Sequence, residues 1–68
     1  MRVVLNGEGR DLDDGATVRE AVMATGAPSE GRGVAVALDG EVVPRRDWDE
    51  VPLREGQRVE VVQAVQGG

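Results

Sequence analysis

Met1, Val3 and Leu5 fall on one face of the segment Met1–Leu5, the period of two that marks a half-buried strand. Asn6-Gly7 follows. Both residue types tolerate positive φ, so a tight hairpin turn is predicted, with a short return strand over Glu8–Leu12. Gly9 inside that return marks a bulge or a loosened turn. After the polar Asp13-Asp14-Gly15 the period changes. Val18, Ala21 and Val22 recur at i, i+3 and i+4, which predicts a helix over Val18–Thr25 with this stripe on the core. Thr17 with Glu20 three residues later has the form of a capping box, and Gly26 stands where the helix stops.

Ala27–Gly33 is a loop by composition. Its Gly31-Arg32-Gly33 has neither the preceding strand nor the following Gly-Lys-Ser/Thr of a phosphate loop. Val34-Ala35-Val36-Ala37-Leu38 is a continuous apolar run, read as a strand buried on both sides or one inside a sheet. Asp39-Gly40 predicts a second tight turn returning over Glu41–Val43, and Pro44 ends that pairing because it has no N–H to donate. Trp48 lies in the charged stretch Arg45–Glu50. It is expected over one edge of the core, with contact to a partner as the alternative. Glu55-Gly56 then turns the chain into a last strand over Arg58–Val65. Val59, Val61 and Val65 share one face of it; Val62 and Ala64 share the other, beside Arg58 and Glu60.

Hairpin, helix, hairpin and final strand, in that order, predict an α+β fold. The first and last strands lie parallel in the middle of a mixed sheet of four to five strands, with the helix packed on one face. This is a β-grasp arrangement. Residues 1–64 are expected to form the domain and residues 65–68 a flexible tail.

Composition narrows the function. At 68 residues the chain is one small domain with a thin margin of stability. The formal charge of −5 disfavours nucleic acid, which demands a positive surface, and favours partners with basic docking surfaces. No apolar stretch approaches the length of a membrane span, and the opening residues do not form a secretory signal; the expected location is the cytoplasm. Cys and His are absent, which removes the thiol nucleophile, the commonest general base near neutrality and the commonest metal ligands. All eight basic residues are arginines, so the chain has no side-chain amine. Asp13 and Asp14 read as a solvated turn, since two carboxylates without further ligands do not make a cation cage. Catalytic residues of its own are not expected, nor is a bound cofactor or metal.

The chemistry is expected at the end of the chain, Gln63-Ala64-Val65-Gln66-Gly67-Gly68. Glycine has no Cβ, so Gly67 and Gly68 fit a channel too narrow for other side chains. Five extended residues reach about 17 Å, enough to leave the body of a small domain. By themselves these glycines also suit a frayed terminus. Val62, Ala64 and Val65, apolar and close to the tail, are the candidate docking residues for a partner, with ordinary packing as the alternative.

Several stretches together carry a resemblance: Asn6-Gly7-Glu8, Thr17-Val18, the run Val34 to Arg45 with Trp48 three residues on, Leu53-x-x-Gly56-x-x-Val59-Glu60, and the final Ala64-Val65-Gln66-Gly67-Gly68. The chain resembles the sulfur carriers of thiamine biosynthesis, the ThiS family of the ubiquitin-like β-grasp superfamily, over essentially its whole length. That family often has Asn where Asp39 stands, and both suit the turn. The resemblance implies that a ThiF-like adenylating enzyme uses ATP and magnesium to activate the carboxylate of Gly68. It also implies that sulfur from cysteine, released by a cysteine desulfurase, then converts this group to a thiocarboxylate that serves thiazole synthase. Related alternatives are the small subunit of molybdopterin synthase, a carrier for cysteine synthesis and a protein-tagging modifier. A different class is a binding module of the same fold with an unreactive end.

Overall fold

The computed structural model describes residues 1–28 and 30–64. Five strands form a mixed sheet in the order β2-β1-β5-β3-β4. They are β1 (Arg2–Leu5), β2 (Glu8–Asp11), β3 (Val34–Leu38), β4 (Glu41–Val42) and β5 (Arg58–Gln63), with helix α1 (Val18–Ala24) between β2 and β3. The two hairpins are antiparallel, while β5 lies parallel to β1 on one side and antiparallel to β3 on the other. The first and last strands therefore do meet in the middle of the sheet. Both turns have the predicted left-handed pair, with Asn6 and Gly7 at φ 50 and 83 and Asp39 and Gly40 at φ 49 and 87.

One face of the sheet is covered. Val3 and Leu5 from β1, Val36 from β3 and Val59 from β5 pack with Val18, Ala21 and Val22 of the helix and with Trp48 and Leu53. The helical stripe is the one the spacing predicts. Because a single layer covers the sheet, β3 is not buried on both faces: Val36 points into the core and Ala35 is exposed. Its apolar run reflects an interior position in the sheet order, between β5 and β4. Gly9 makes no bulge either. It pairs in register with Val4, and the Arg2 guanidinium covers it so closely that a Cβ there would lie 2.6 Å from Arg2 Nη2.

The start of α1 departs from the expected capping box. Thr17 has the extended geometry of an N-cap, yet its side chain makes no capping hydrogen bond. The exposed N–H groups of the first turn go instead to main-chain carbonyls: Val18 N–H to Val51 O at 3.0 Å and Arg19 N–H to Trp48 O at 3.2 Å. A helix start leaves such donors without intrahelical partners, and here the segment around Trp48 supplies the acceptors. At the other end, Arg10 of β2 donates through Nη2 to Ala24 O at 2.6 Å, tying the first hairpin to the last turn of the helix.

Trp48 is 1% exposed, a core residue rather than a partner contact. It follows a short 3-10 turn at Arg45–Asp47, and its Nε1–H donates to Val43 O at 2.9 Å, which satisfies the one polar atom of a buried indole. Arg19 covers the ring, with its guanidinium carbon 5.5 Å from the centroid, and donates through Nε to Asp49 Oδ1. Gly31, at φ +73, lies against the benzo edge of the indole, where a Cβ would strike Cζ3 and Cη2 of the ring and the Arg45 side chain. Gly31→Ala is therefore expected to cost about 2–4 kcal/mol, combining left-handed strain with overpacking. Denaturant unfolding followed by the emission of Trp48 would measure the loss.

Candidate functional site

The tail residues Val65, Gln66, Gly67 and Gly68, including the predicted site of modification, lie outside the described residues. The structure does define the base from which they leave. That base is the end of β5, the central strand of the sheet.

Residues paired across strands share a face of the sheet. Val62 stands opposite Ala35, Glu60 opposite Ala37, and Arg58 opposite Val4, all on the face away from the helix. Val62 is 64% exposed, and Ala64 beyond it is exposed as well. The open face thus carries apolar side chains at the foot of the tail, edged by Arg58 and Glu60. Val62 stands between two shallow hollows of about 410 and 540 Å³. The first is shared with Val4, Asn6, Gly7 and Arg58; the second with Gly33, Ala35, Arg45 and Ala64. Of the three predicted docking residues, Val62 and Ala64 come together here, and Val65 lies outside the described residues.

Side chains from both tight turns hold β5 in place. On the β1 side, Asn6 Oδ1 accepts the Val61 N–H at 2.8 Å, and Asn6 Nδ2 donates to Val61 O at 3.3 Å. On the β3 side, Asp39 Oδ1 accepts the Arg58 N–H at 3.0 Å, and Gln57 Nε2 donates to Asp39 Oδ2 at 3.1 Å. The Asp39 N–H in turn donates to Arg58 O at 2.8 Å. Ala64 is fastened by its own N–H to Gly33 O at 2.7 Å. In the sequence, Asn6 and Asp39 read as turn residues, with no sign that they also anchor β5. The missing signal was spatial, since nothing in either hairpin states which strand its turn will face.

Among the described residues, no three His, Cys, Asp or Glu side chains are grouped so as to hold a metal ion, and no helix is long and apolar enough to cross a membrane. Asp13 and Asp14 are exposed, as a solvated turn should be, and Asp14 Oδ1 accepts from the amino group of Met1 at 3.2 Å.

A mixed five-stranded sheet gripping one helix, with its central strand running out to a Gly-Gly end, defines a small ubiquitin-like β-grasp protein. The model of the ThiS family matches residues 3–68. The chain is 44% identical over 66 residues to the sulfur carrier protein ThiS of Thermus thermophilus, covering 97% of this chain and 98% of that protein. It is 34% identical over all 68 residues to a thiazole synthase of Paramagnetospirillum magneticum, but spans only 20% of that longer protein. A crystal structure of the thiamine biosynthesis protein ThiS from Geobacter metallireducens superimposes with a TM-score of 0.78 at 28% identity, over 100% of both chains. An NMR solution structure of a thiamine biosynthesis protein from Geobacter metallireducens gives 0.79, covering 100% of this chain and 88% of that one. The chain belongs to the ThiS family.

The Asp39 contacts have a pH signature. The Arg58 N–H, then the Gln57 side chain, and also the Arg58 charge hold the Asp39 carboxyl below its ordinary value. The folded state thus binds this proton less tightly than the unfolded chain. The resulting stabilisation is present above the unfolded-state pKa of about 3.9 and is lost as pH falls through the lower folded value. In Asp39→Asn the amide oxygen still accepts from Arg58, but its NH₂ cannot accept from Gln57. Thermal melts between about pH 7 and about pH 3 should show the variant less stable at the neutral end, with the gap to wild type closing on acidification as the carboxyl protonates.

Proposed function

We propose that this ThiS-family chain is a sulfur carrier of thiamine biosynthesis that holds the sulfur as a thiocarboxylate on Gly68. The observation that carries the reading is the family match, which runs through the Gly-Gly end while the β-grasp body contributes no thiol or imidazole of its own. Chemistry therefore falls to the carboxylate. With a reference pKa of about 3.5, a terminal carboxyl is anionic at neutral pH. One of its oxygens attacks the α-phosphate of ATP, held with magnesium in a ThiF-like adenylating enzyme, and pyrophosphate leaves. The acyl adenylate replaces a poor leaving group by AMP. A desulfurase takes the sulfur from cysteine as an enzyme persulfide, and a thiol reductant such as excess cysteine, itself oxidised to the disulfide, releases it as sulfide. This attacks the Gly68 carbonyl carbon, AMP departs, and the thiocarboxylate remains.

Thiazole synthase is the proposed acceptor of that sulfur. The similarity to one segment of a longer thiazole synthase supports a working relationship between a carrier of this fold and that enzyme. Docking is assigned to the open sheet face at the foot of the tail, with Val62 and Ala64 as its apolar centre, joined by Val65, and with Gly67 and Gln66 passing into the partner's channel. Arg58 and Arg45 in the flanking hollows offer charge for orientation. Lysine is absent, so the activated carbonyl has no side-chain amine of its own chain to acylate.

Incubation with ATP, magnesium, the adenylating enzyme, a desulfurase and cysteine should raise the intact mass by one exchange of oxygen for sulfur, located at Gly68 by fragmentation. An unchanged mass would favour an unreactive binding module, and modification of a chain lacking Gly68 would misplace the site. Val62→Asp changes an exposed side chain but puts a poor strand former in the central strand, so it should cost about 1 kcal/mol of stability and leave the fold intact. The same substitution should weaken turnover by the adenylating enzyme; equal turnover would rule out Val62 as a docking residue.

A further inference from the structure

We propose that Asn6 is a positioning residue for the chemistry at the tail, acting as one more peptide unit of β1 toward the strand that carries the tail. The register shows how. Val4 pairs with Arg58 and Leu5 with Val59, with the Val4 N–H donating to Gln57 O and the Asn6 N–H donating to Val59 O, both at 2.9 Å. In a parallel ladder that continued straight, the Val61 N–H would next donate to the Asn6 carbonyl. Asn6 instead adopts φ 50 and turns toward Gly7, so its carbonyl leaves the ladder. Its side chain takes over. Oδ1 accepts the Val61 N–H at 2.8 Å, and Nδ2 donates to the Val61 carbonyl at 3.3 Å.

The site makes two demands, and asparagine meets both. Its amide supplies an acceptor and a donor like a peptide group, and its short polar side chain tolerates the left-handed backbone. Aspartate would keep the turn and the acceptor, but would set a second carboxylate oxygen against the Val61 carbonyl. Glycine would keep the turn and lose both bonds. A hairpin needs only the conformation; the amide is explained by β5.

The consequence falls on the foot of the tail. Val61 precedes Val62, and on the opposite edge the Ala64 N–H is fastened to Gly33 O. These two fastenings, one from each side, bracket Val62 and Gln63. Without Asn6 the end of β5 keeps its β3 partners but loses its hold on the β1 side, and spends part of its time out of the sheet. A partner that reads Val62 and draws in the tail then binds only the seated fraction. Apparent affinity falls by that fraction, whereas the reaction of a fully engaged Gly68 does not change. The signature is therefore a rise in KM at constant kcat.

This inference rests on the adenylation proposed above, and the test separates the two. Wild type, Asn6→Gly and Asn6→Asp would be compared as substrates of a ThiF-like adenylating enzyme with ATP and magnesium, following pyrophosphate release against carrier concentration. In parallel, amide exchange would be read by NMR, and Trp48 emission would report an intact core. Both variants should exchange the Val61 amide about tenfold faster, the scale of one or two lost hydrogen bonds, and raise KM for the carrier by the reciprocal of the seated fraction, about twofold where half the molecules are unseated. The amides pairing β1 with β2 should keep their protection, and kcat should stay within about twofold. If wild type releases pyrophosphate and both variants match its KM, the role of Asn6 is refuted while the carrier reading stands. A fall in kcat at unchanged KM refutes it equally. If wild type releases none, adenylation itself is refuted and the positioning role with it. Should Asn6→Asp fail to fold, Asn6→Gly, which preserves the turn, decides the question alone.

Discussion

Everything in this domain depends on β5 being held between β1 and β3. The strand pairs in parallel with the beginning of the chain and antiparallel with its middle, so one segment joins two hairpins into a single sheet. Val59 at its centre is fully buried and packs in the same core as Val3, Leu5, Val36 and the helical stripe. The strand also leads to the tail, so the element that closes the fold is the one that would present the proposed site. The core and the proposed docking face share a strand, on opposite sides of it: Val59 inward, Val62 outward.

The fastening of β5 has an approximate symmetry. Each hairpin places a short polar side chain at the first left-handed position of its turn, Asn6 at φ 50 and Asp39 at φ 49. Each reaches a backbone N–H of β5, Val61 in one case and Arg58 in the other. The two are not equivalent chemically. Asn6 both accepts and donates, completing a ladder that its own backbone has left. Asp39 only accepts, from a main-chain and a side-chain donor, and so makes its end of the strand sensitive to protonation. A residue type commonly explained by its turn alone serves here as an anchor for a strand distant in sequence.

The elements and their order were legible because their signals are local. Period-two valines, two Asn/Asp-Gly turns, one 3.6-period stripe and a long apolar run name the pieces, and the size of the chain leaves few ways to join them. What escaped was set by tertiary placement. Thr17 and Glu20 have the form of a capping box, but the carbonyls of Trp48 and Val51 reach the first-turn N–H groups instead. The run Val34–Leu38 has the composition of a strand covered twice, yet alanine at position 35 also suits an open face. Gly9 matches the profile of a bulge when the Arg2 side chain lying over it is invisible. Val62 and Ala64 were legible as an outward pair next to the tail; the hollows beside them, and the part played by Gly33, were not.

The parallel alignment of β1 and β5 also sets how the domain bears a load. A partner that draws the tail into a deep channel pulls along the axis of β5, which runs across the hydrogen bonds to β1 and β3 rather than along them. Bonds on both flanks are then strained together in shear instead of opening one after another from an edge. Traction on the last residues is thereby spread over the whole middle of the sheet, and a small aliphatic body can be handled by its end without being unravelled.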